Sequence, residues 1–268
     1  MSQSWQVLKQ DKTLLVLPLI SGICCLLLIA SFAIPFYATG SWQPPGKDAS
    51  HQHQVLYYGV LFLFYFCNYF IVVFFNAAIV ACAASRMTGG NPTIGDGLRT
   101  AASRLPVIAG WALLSATVGL VLRIIEDRSD KIVQIVMSFI GVAWTVASFL
   151  VVPILVVENK NPFAALKDSS VMLKQTWGER IVARFSFGAI FGLLSIPGIA
   201  LIIGGAFLGH AALIIPCVML GVVYLVVLAL VNSALHAIFQ TAIYLYARDG
   251  RVPEGFDAEV LGNAMRTA

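Results

Sequence analysis

The polar residues that offer chemistry in this chain lie inside long apolar runs, at helical spacing. Asn232, His236 and Gln240 recur every four residues, and Asn68 and Asn76 stand eight residues apart. Residues at i, i+4 and i+8 share one face of a helix. Such a face can form a polar track for a substrate or a lipid headgroup, or it can hold helices together by hydrogen bonds, its more ordinary use in membranes. The sequence leaves both interpretations open.

No pattern typical of an enzyme or a metal centre accompanies these residues. The Gly89-Gly90 pair lacks the rest of a phosphate-binding loop, and no nucleophile elbow or Ser-x-x-Lys motif is present. His51 and His53 have no further ligand nearby in the sequence, and the five cysteines lie within apolar runs without metal spacing. We therefore expect no enzymatic activity, no cofactor and no bound metal.

Six long apolar runs carry the polar residues. Hydrophobic residues make up 59% of the chain and charged residues 11%, against roughly 45–50% and 25% in soluble domains. About 20 apolar residues suffice for a helix to cross the ~30 Å hydrocarbon core. We predict an all-α polytopic membrane protein, one domain over residues 1–268, with six transmembrane helices. The runs are Leu14–Ala38, Val55–Ala84, Leu105–Ile125, Ile132–Val157, Ile181–Phe207 and Ala211–Tyr246.

The runs form three similar pairs. Leu17–Gly22 and Leu105–Gly110 open the first and third runs with related residues, and Gly89, Asn159 and Gly250 each precede a proline by three residues at the exits of the even runs. Gly or Asn adopts the left-handed conformation at helix ends, and the proline prevents the helix from resuming. We predict three parallel hairpin repeats. Their approximate bounds are residues 1–90, 91–160 and 161–268. In the fifth run, Gly188-x-x-x-Gly192 favours close helix contact.

A short amphipathic helix is predicted before or after each hairpin. In one of them Phe163, Leu166 and Val171 contrast with Lys167 and Lys174. Helices of this kind usually lie in the membrane interface, although docking of a partner protein is an alternative. Together they form a predicted cytoplasmic collar. The four segments are Ser2–Lys12, Thr93–Ser103, Phe163–Trp177 and Glu254–Arg266.

Positive charge collects in every second gap between the runs. Lys47, Arg123, Arg128 and Lys131 lie on one predicted side, and the other 13 of the 17 Lys and Arg residues lie on the opposite side. Because cytoplasmic loops are richer in Lys and Arg, both termini should be cytoplasmic. Anionic lipid headgroups, and not nucleic acid, are the expected partners of these charges. Candidate headgroup residues are Lys9, Lys12, Arg99, Arg104, Lys167, Lys174, Arg180 and Arg184.

The N-terminal segment carries a resemblance. Ser4-Trp5-Gln6-Val7-Leu8-Lys9-Gln10-Asp11-Lys12, followed by Leu14–Pro18, resembles the start of a family of uncharacterised six-span prokaryotic membrane proteins. That family is distantly similar to the membrane domain fused to some glycerophosphoryl diester phosphodiesterases. The resemblance implies a plasma (inner) membrane protein of a bacterium or archaeon. It implies no activity, since the catalytic barrel of the phosphodiesterases is absent.

Two functions follow from these patterns. The first is a non-enzymatic membrane protein that organises lipids, other membrane proteins or further copies of itself through its cytoplasmic collar. The alternative is a transporter or channel for a small or lipid-like substrate, using the polar face of the sixth run. No ionisable residue lies at the centre of a run, which disfavours coupling to protons or sodium.

Overall fold

The computed structural model describes residues 12–38, 50–127, 130–177, 187–207, 211–250 and Pro253. All regular structure in these residues is helical, so the all-α prediction is confirmed. The predicted helix Glu254–Arg266 and residues 2–11 of the predicted N-terminal helix lie outside them. A 3-10 helix over Lys12–Leu15 precedes the α-helices, which are α1 (Val16–Ala38), α2 (His51–Met87), α3 (Ile94–Ser103), α4 (Leu105–Asp127), α5 (Lys131–Ala147), α6 (Val151–Glu158), α7 (Pro162–Trp177), α8 (Phe187–Ala206) and α9 (Ala211–Asp249).

Within the described residues, five segments are long and apolar enough to cross a membrane. A shorter apolar segment, Phe191–Gly205, lies in α8. These segments indicate a membrane-spanning protein whose described regular structure is entirely helical. The five segments are Val16–Pro35, His51–Met87, Leu105–Glu126, Lys131–Glu158 and Ile214–Asp249.

The fourth predicted span is interrupted. The sequence predicted a single run over Ile132–Val157, whereas α5 ends at Ala147 and α6 begins at Val151. Pro153, in the first turn of α6, has no N–H to donate to the carbonyl of Phe149, and its ring crowds that position. Proline is tolerated in a first turn, so the chain restarts there as a new helix.

Ser169 of α7 satisfies the backbone groups that the interruption frees. Its hydroxyl donates to the carbonyl of Ala147 at 2.6 Å and accepts from the N–H of Leu150 at 3.1 Å. Ser169 is fully buried. One side chain thus replaces two lost backbone partners at a buried position, where unpaired backbone groups are costly.

The buried core lies at one end of the helices, where α2, α6 and α9 finish; we call this the exit end. All six residues from Val151 to Val156 are buried, as expected for a helix that is apolar all round. They pack against α2, α7 and the C-terminal half of α9. By contrast, α5 has no buried residue, and α8 and the first half of α9 expose large apolar side chains. In a membrane, such surfaces face lipid tails.

The three predicted left-handed residues adopt that conformation. Gly89 has φ +86°, Asn159 +54° and Gly250 +65°, and no other described residue has a positive φ. Each follows the end of α2, α6 or α9, with a proline three residues later. The local prediction is therefore confirmed, while the threefold hairpin repeat stays a prediction.

The two described collar helices, α3 and α7, start within a residue of their predicted positions. Thr93 and Asp96 form a capping box at the start of α3. In α7, Ala165, Ser169 and Leu173 are buried against the bundle, whereas Phe163, Lys167, Val171 and Lys174 are exposed. The outward face of α7 therefore mixes apolar and basic side chains, an arrangement typical of helices at a membrane surface.

Within the described residues, the fifth predicted span packs closely at Gly198 and not at Gly192. A methyl group at Gly192 would meet no atom within 4 Å. At Gly221 of α9, however, a methyl group would lie 2.8 Å from the carbonyl oxygen of Gly198 and 2.7 Å from Ile202. The close approach of α8 and α9 therefore depends on Gly198 and Gly221.

Candidate functional site

The polar face of α9 is longer than the sequence analysis recognised. Tyr244 and Arg248 continue the four-residue spacing of Asn232, His236 and Gln240. We call these five residues the polar stripe. Side chains four apart are neighbours on a helix, and the stripe winds slowly because a turn takes 3.6 residues. The four-residue spacing continues in the sequence, but Tyr244 lies within the predicted apolar run Ala211–Tyr246 and was counted there as an apolar residue.

The middle of the stripe is buried. Gln240 is 5% exposed, and its amide oxygen has no hydrogen-bond partner in the part of the chain that the structure describes. Buried polar atoms are nearly always bonded, commonly to an internal water where no protein group is available. The His236 ring packs edge-on against Phe149, with centroids 5.5 Å apart. Phe149 lies in the interruption between α5 and α6, so the stripe passes directly beside it.

Asn68 and Asn76 lie on α2, half-buried. Both α2 and α9 run toward the exit end and pack against each other. Counted back from the helix ends at ~1.5 Å per residue, Asn76 lies at about the depth of Gln240 and Asn68 at about that of Asn232. By this count, the two asparagines and the stripe residues lie at similar distances from the ends of their helices.

At the exit end the stripe joins an ion cluster. The Tyr244 hydroxyl donates to Glu158 at 2.6 Å, and the Lys160 ammonium lies 2.6 Å from Glu158 and 2.7 Å from Asp168. Tyr244 is fully buried. These contacts connect α9, the end of α6 and α7. Tyr244 and Asp168 were not among the predicted site residues, because nothing local marks residues that come together from distant parts of the chain.

The ion cluster stabilises the charged form of its lysine. Hydrogen bonds from the ammonium to Asp168 and Glu158 raise the pKa of Lys160 above its ordinary value. Lys160 therefore stays protonated at neutral pH and beyond. The arrangement is suited to holding three helices together. If Lys160, Glu158 or Asp168 is removed, the remaining charged groups lose a partner and no longer hold their positions.

The predicted headgroup residues have different positions. Arg104 donates from Nε to the carbonyl oxygen of Val156 at 3.3 Å, so it helps to satisfy the last turn of α6. Its assignment to a lipid headgroup stays a prediction. Arg99, Lys167 and Lys174 are exposed. Residues 9, 180 and 184 lie outside the described residues, and Lys12 begins the 3-10 helix.

Two cavities lie away from the stripe. One, of about 260 Å³, is a polar groove between α2 and α3 at the exit end. The other, of about 280 Å³, is an apolar groove between α1 and the first half of α2. Among the described residues, no group of three or more His, Cys, Asp or Glu side chains is placed to hold a metal ion.

Comparison with known proteins assigns a family without an activity. Residues 55–255 match DUF6159, a family of unknown function, over well more than half of the chain. No curated protein and no solved structure matches. None of these comparisons supports the distant similarity to glycerophosphoryl diester phosphodiesterases, which stays a hypothesis. The chain belongs to the DUF6159 family.

Proposed function

We propose that this protein is a non-enzymatic integral membrane protein that organises lipids or protein partners through its collar at the cytoplasmic face of a prokaryotic plasma membrane. The observation that carries the proposal is the outward face of α7. There Phe163 and Val171 alternate with Lys167 and Lys174, all exposed, while Ser169 anchors the helix to the bundle. Apolar side chains suit the acyl boundary, and lysines suit lipid phosphates.

The proposal includes six spans in three parallel hairpins: α1 with α2, α4 with α5 and α6, and α8 with α9. Two observations support it. The three exits share a left-handed residue and a proline. The 20-residue helix α8 is apolar, and 20 residues at ~1.5 Å span about 30 Å. In this arrangement the exit end is cytoplasmic and carries both termini.

Replacing Lys167 and Lys174 together by Gln should weaken binding of the anionic lipid phosphatidylglycerol by about tenfold or more. Each lysine near an anionic surface contributes roughly 1 kcal/mol. Native mass spectrometry of protein exchanged into nanodiscs of graded phosphatidylglycerol content measures this binding. The matched control replaces Arg123 and Lys131 by Gln, an equal charge change at the other end. Equal lipid binding by the two double variants would contradict the role of the collar.

Labelling of introduced cysteines tests orientation. In a protein whose five native cysteines are replaced by Ala, cysteine at Ser50 or Ser129 should react with a membrane-impermeant reagent in whole cells. Cysteine at Ser103, on the collar helix α3, should react only after the membrane is opened. Reaction at Ser103 in intact cells would place the exit end outside and reverse the topology.

A transporter or channel is the second candidate, because the polar stripe leads from mid-span to the ion cluster, where its Tyr244 donates a hydrogen bond to Glu158. The unpaired buried oxygen of Gln240 favours an internal water beside the stripe. Accessibility to small hydrophilic thiol reagents of cysteines introduced at Asn232 and Gln240 distinguishes the two functions. A path requires both to react from the cytoplasmic side, and a packed bundle requires neither to react.

A further inference from the structure

The polar groove between α2 and α3 belongs to neither the stripe nor the ion cluster. Its volume is about 260 Å³, and its polar lining comes from Ser85 of α2, Asn91 of the turn, and Asp96 and Thr100 of α3. Pockets for drug-sized ligands hold roughly 300–1,000 Å³. The groove is therefore matched to a smaller polar group, one that an amide, two hydroxyls and a single carboxylate recognise together.

The groove is built by close contact between its walls. A methyl group at Gly97 would lie 2.5 Å from the Cys82 sulfur and 2.7 Å from the Ala78 carbonyl oxygen, so only glycine allows α3 to approach α2 this closely. The amide oxygen of Asn91 accepts a hydrogen bond from Arg86. These contacts fix both walls before any ligand arrives.

The groove carries a fixed negative charge with a positive charge beside it. Asp96 accepts from the Thr93 hydroxyl at 2.7 Å and from the Thr93 N–H at 3.0 Å, both at Oδ2. These hydrogen bonds, with the nearby Arg99 guanidinium, hold the pKa of Asp96 below its ordinary value. The carboxylate is thus ionised at neutral pH. Arg99 is exposed three residues later, and Cβ atoms at this spacing are ~5–6 Å apart.

We propose that this groove binds the headgroup of an aminophospholipid, with its ammonium at Asp96 and its phosphate toward Arg99. Ala81 and Ser85 lie in the last turns of α2, a helix long and apolar enough to cross a membrane, and in the proposed topology this end reaches the cytoplasmic headgroups. Two carbons separate ammonium from phosphate in an ethanolamine headgroup, so one headgroup can reach two residues that are neighbours on a helix surface, as Asp96 and Arg99 are. A primary ammonium donates hydrogen bonds to the carboxylate, the hydroxyls and the amide, whereas a trimethylated choline has no such donors and an anionic glycerol headgroup has no cation.

The inference rests on the proposed function, in that it places lipid at the collar, but it uses an acidic groove on α3 and not the basic face of α7. The test is native mass spectrometry in nanodiscs of phosphatidylcholine containing a minor fraction of phosphatidylethanolamine. The wild-type protein should retain phosphatidylethanolamine preferentially. Asp96→Asn should lower this retention by about tenfold, a typical loss for removing a charged hydrogen-bond partner. Asn still accepts hydrogen bonds from Thr93, so α3 keeps its cap.

The control Asp249→Asn makes the same charge change at a carboxylate paired with Arg248, outside the groove, and should leave retention unchanged. Thr100→Val, which removes a lining hydroxyl at constant size, should weaken retention more mildly. Equal retention of phosphatidylethanolamine by the wild type and Asp96→Asn, each with unchanged thermal unfolding, would overturn the proposal.

Competition with free phosphoethanolamine distinguishes a site for a membrane lipid from a site for a soluble compound with the same headgroup. A lipid site requires that millimolar phosphoethanolamine fail to displace the bound lipid, because the acyl chains stay in the membrane. Displacement at micromolar concentration would assign the groove to a soluble amino-phosphate compound and overturn the lipid assignment. The two lipid proposals are tested separately. The Lys167 and Lys174 double variant tests phosphatidylglycerol binding by the collar, whereas Asp96→Asn tests phosphatidylethanolamine binding by the groove, and neither result decides the other.

Discussion

Replacing Ser169 by Ala should destabilise the protein by roughly 2–4 kcal/mol, because two backbone groups lose their partner at once. The Leu150 N–H and the Ala147 carbonyl are bonded to this one hydroxyl. A buried group left unpaired costs about 1–3 kcal/mol. The free energy of unfolding in mixed detergent micelles measures the loss, and amide hydrogen exchange of a peptide containing Leu150 should quicken in the folded variant.

Ser170 provides the matched control on the same helix. Its hydroxyl donates to the carbonyl of Leu166 one turn earlier. That carbonyl already has a backbone partner in the α-helix, so the side-chain bond adds little. Ser170→Ala should therefore change stability by less than about 0.5 kcal/mol. If the two alanine variants proved equally stable, the interruption between α5 and α6 would not depend on Ser169 and would be caused by Pro153 alone.

The interruption illustrates which features the sequence could predict. The apolar runs, the two described collar helices and the three left-handed exits depend on residues within a few positions of one another, so composition and Gly/Asn-x-x-Pro spacing sufficed to predict them. By contrast, the partner of Leu150 is Ser169, 19 residues away. Hydropathy predicted one apolar run over Ile132–Val157 but carried no information on where the helix would be interrupted.

The candidate site divides in the same way. Spacing alone identified Asn232, His236 and Gln240. The sequence could not reveal that Tyr244 donates to Glu158, which lies 86 residues earlier. Nor could it show that Arg104 turns back to the carbonyl of Val156, 52 residues later. Long-range partners of this kind emerge only when the helices are packed, since several arrangements of the same apolar helices bury similar surface.

The position of the core favours a rigid exit end and a more loosely packed opposite end. Buried residues and the ion cluster concentrate where α2, α6 and α9 finish. Near the other end, α5 contributes no buried residue, and α8 contacts mainly α9. Because lipid tails are as apolar as leucine, these outer helices gain little from hydrophobic burial, and their association depends on close packing and hydrogen bonds. The α8–α9 pair therefore relies on small residues and on the bond from the Tyr224 hydroxyl to the Leu194 carbonyl, 2.8 Å long.

Replacing Gly221 by Val should then separate α8 from α9 and destabilise this hairpin by roughly 2 kcal/mol or more. A Cβ atom at this position would lie 2.8 Å from the Gly198 carbonyl oxygen, and a backbone atom cannot turn aside as a side chain can. Overpacking of this kind typically costs about 1–3 kcal/mol, and the displaced helix also loses the Tyr224 bond. In a protein otherwise free of cysteine, a disulfide between cysteines introduced at Ile202 and Val218 should form more slowly when Gly221 is replaced by Val.

Gly192 supplies the comparison, because the sequence marked it for close contact and the structure leaves it open. A methyl group there meets no atom within 4 Å. Gly192→Val should therefore cost little in packing, and Gly192→Ala should raise stability by roughly 0.5–1 kcal/mol, since alanine is the better helix former. If Gly192→Val were as damaging as Gly221→Val, then α8 would present its Gly188–Gly192 face to another helix, and the α8–α9 contact would not be the one that holds this hairpin.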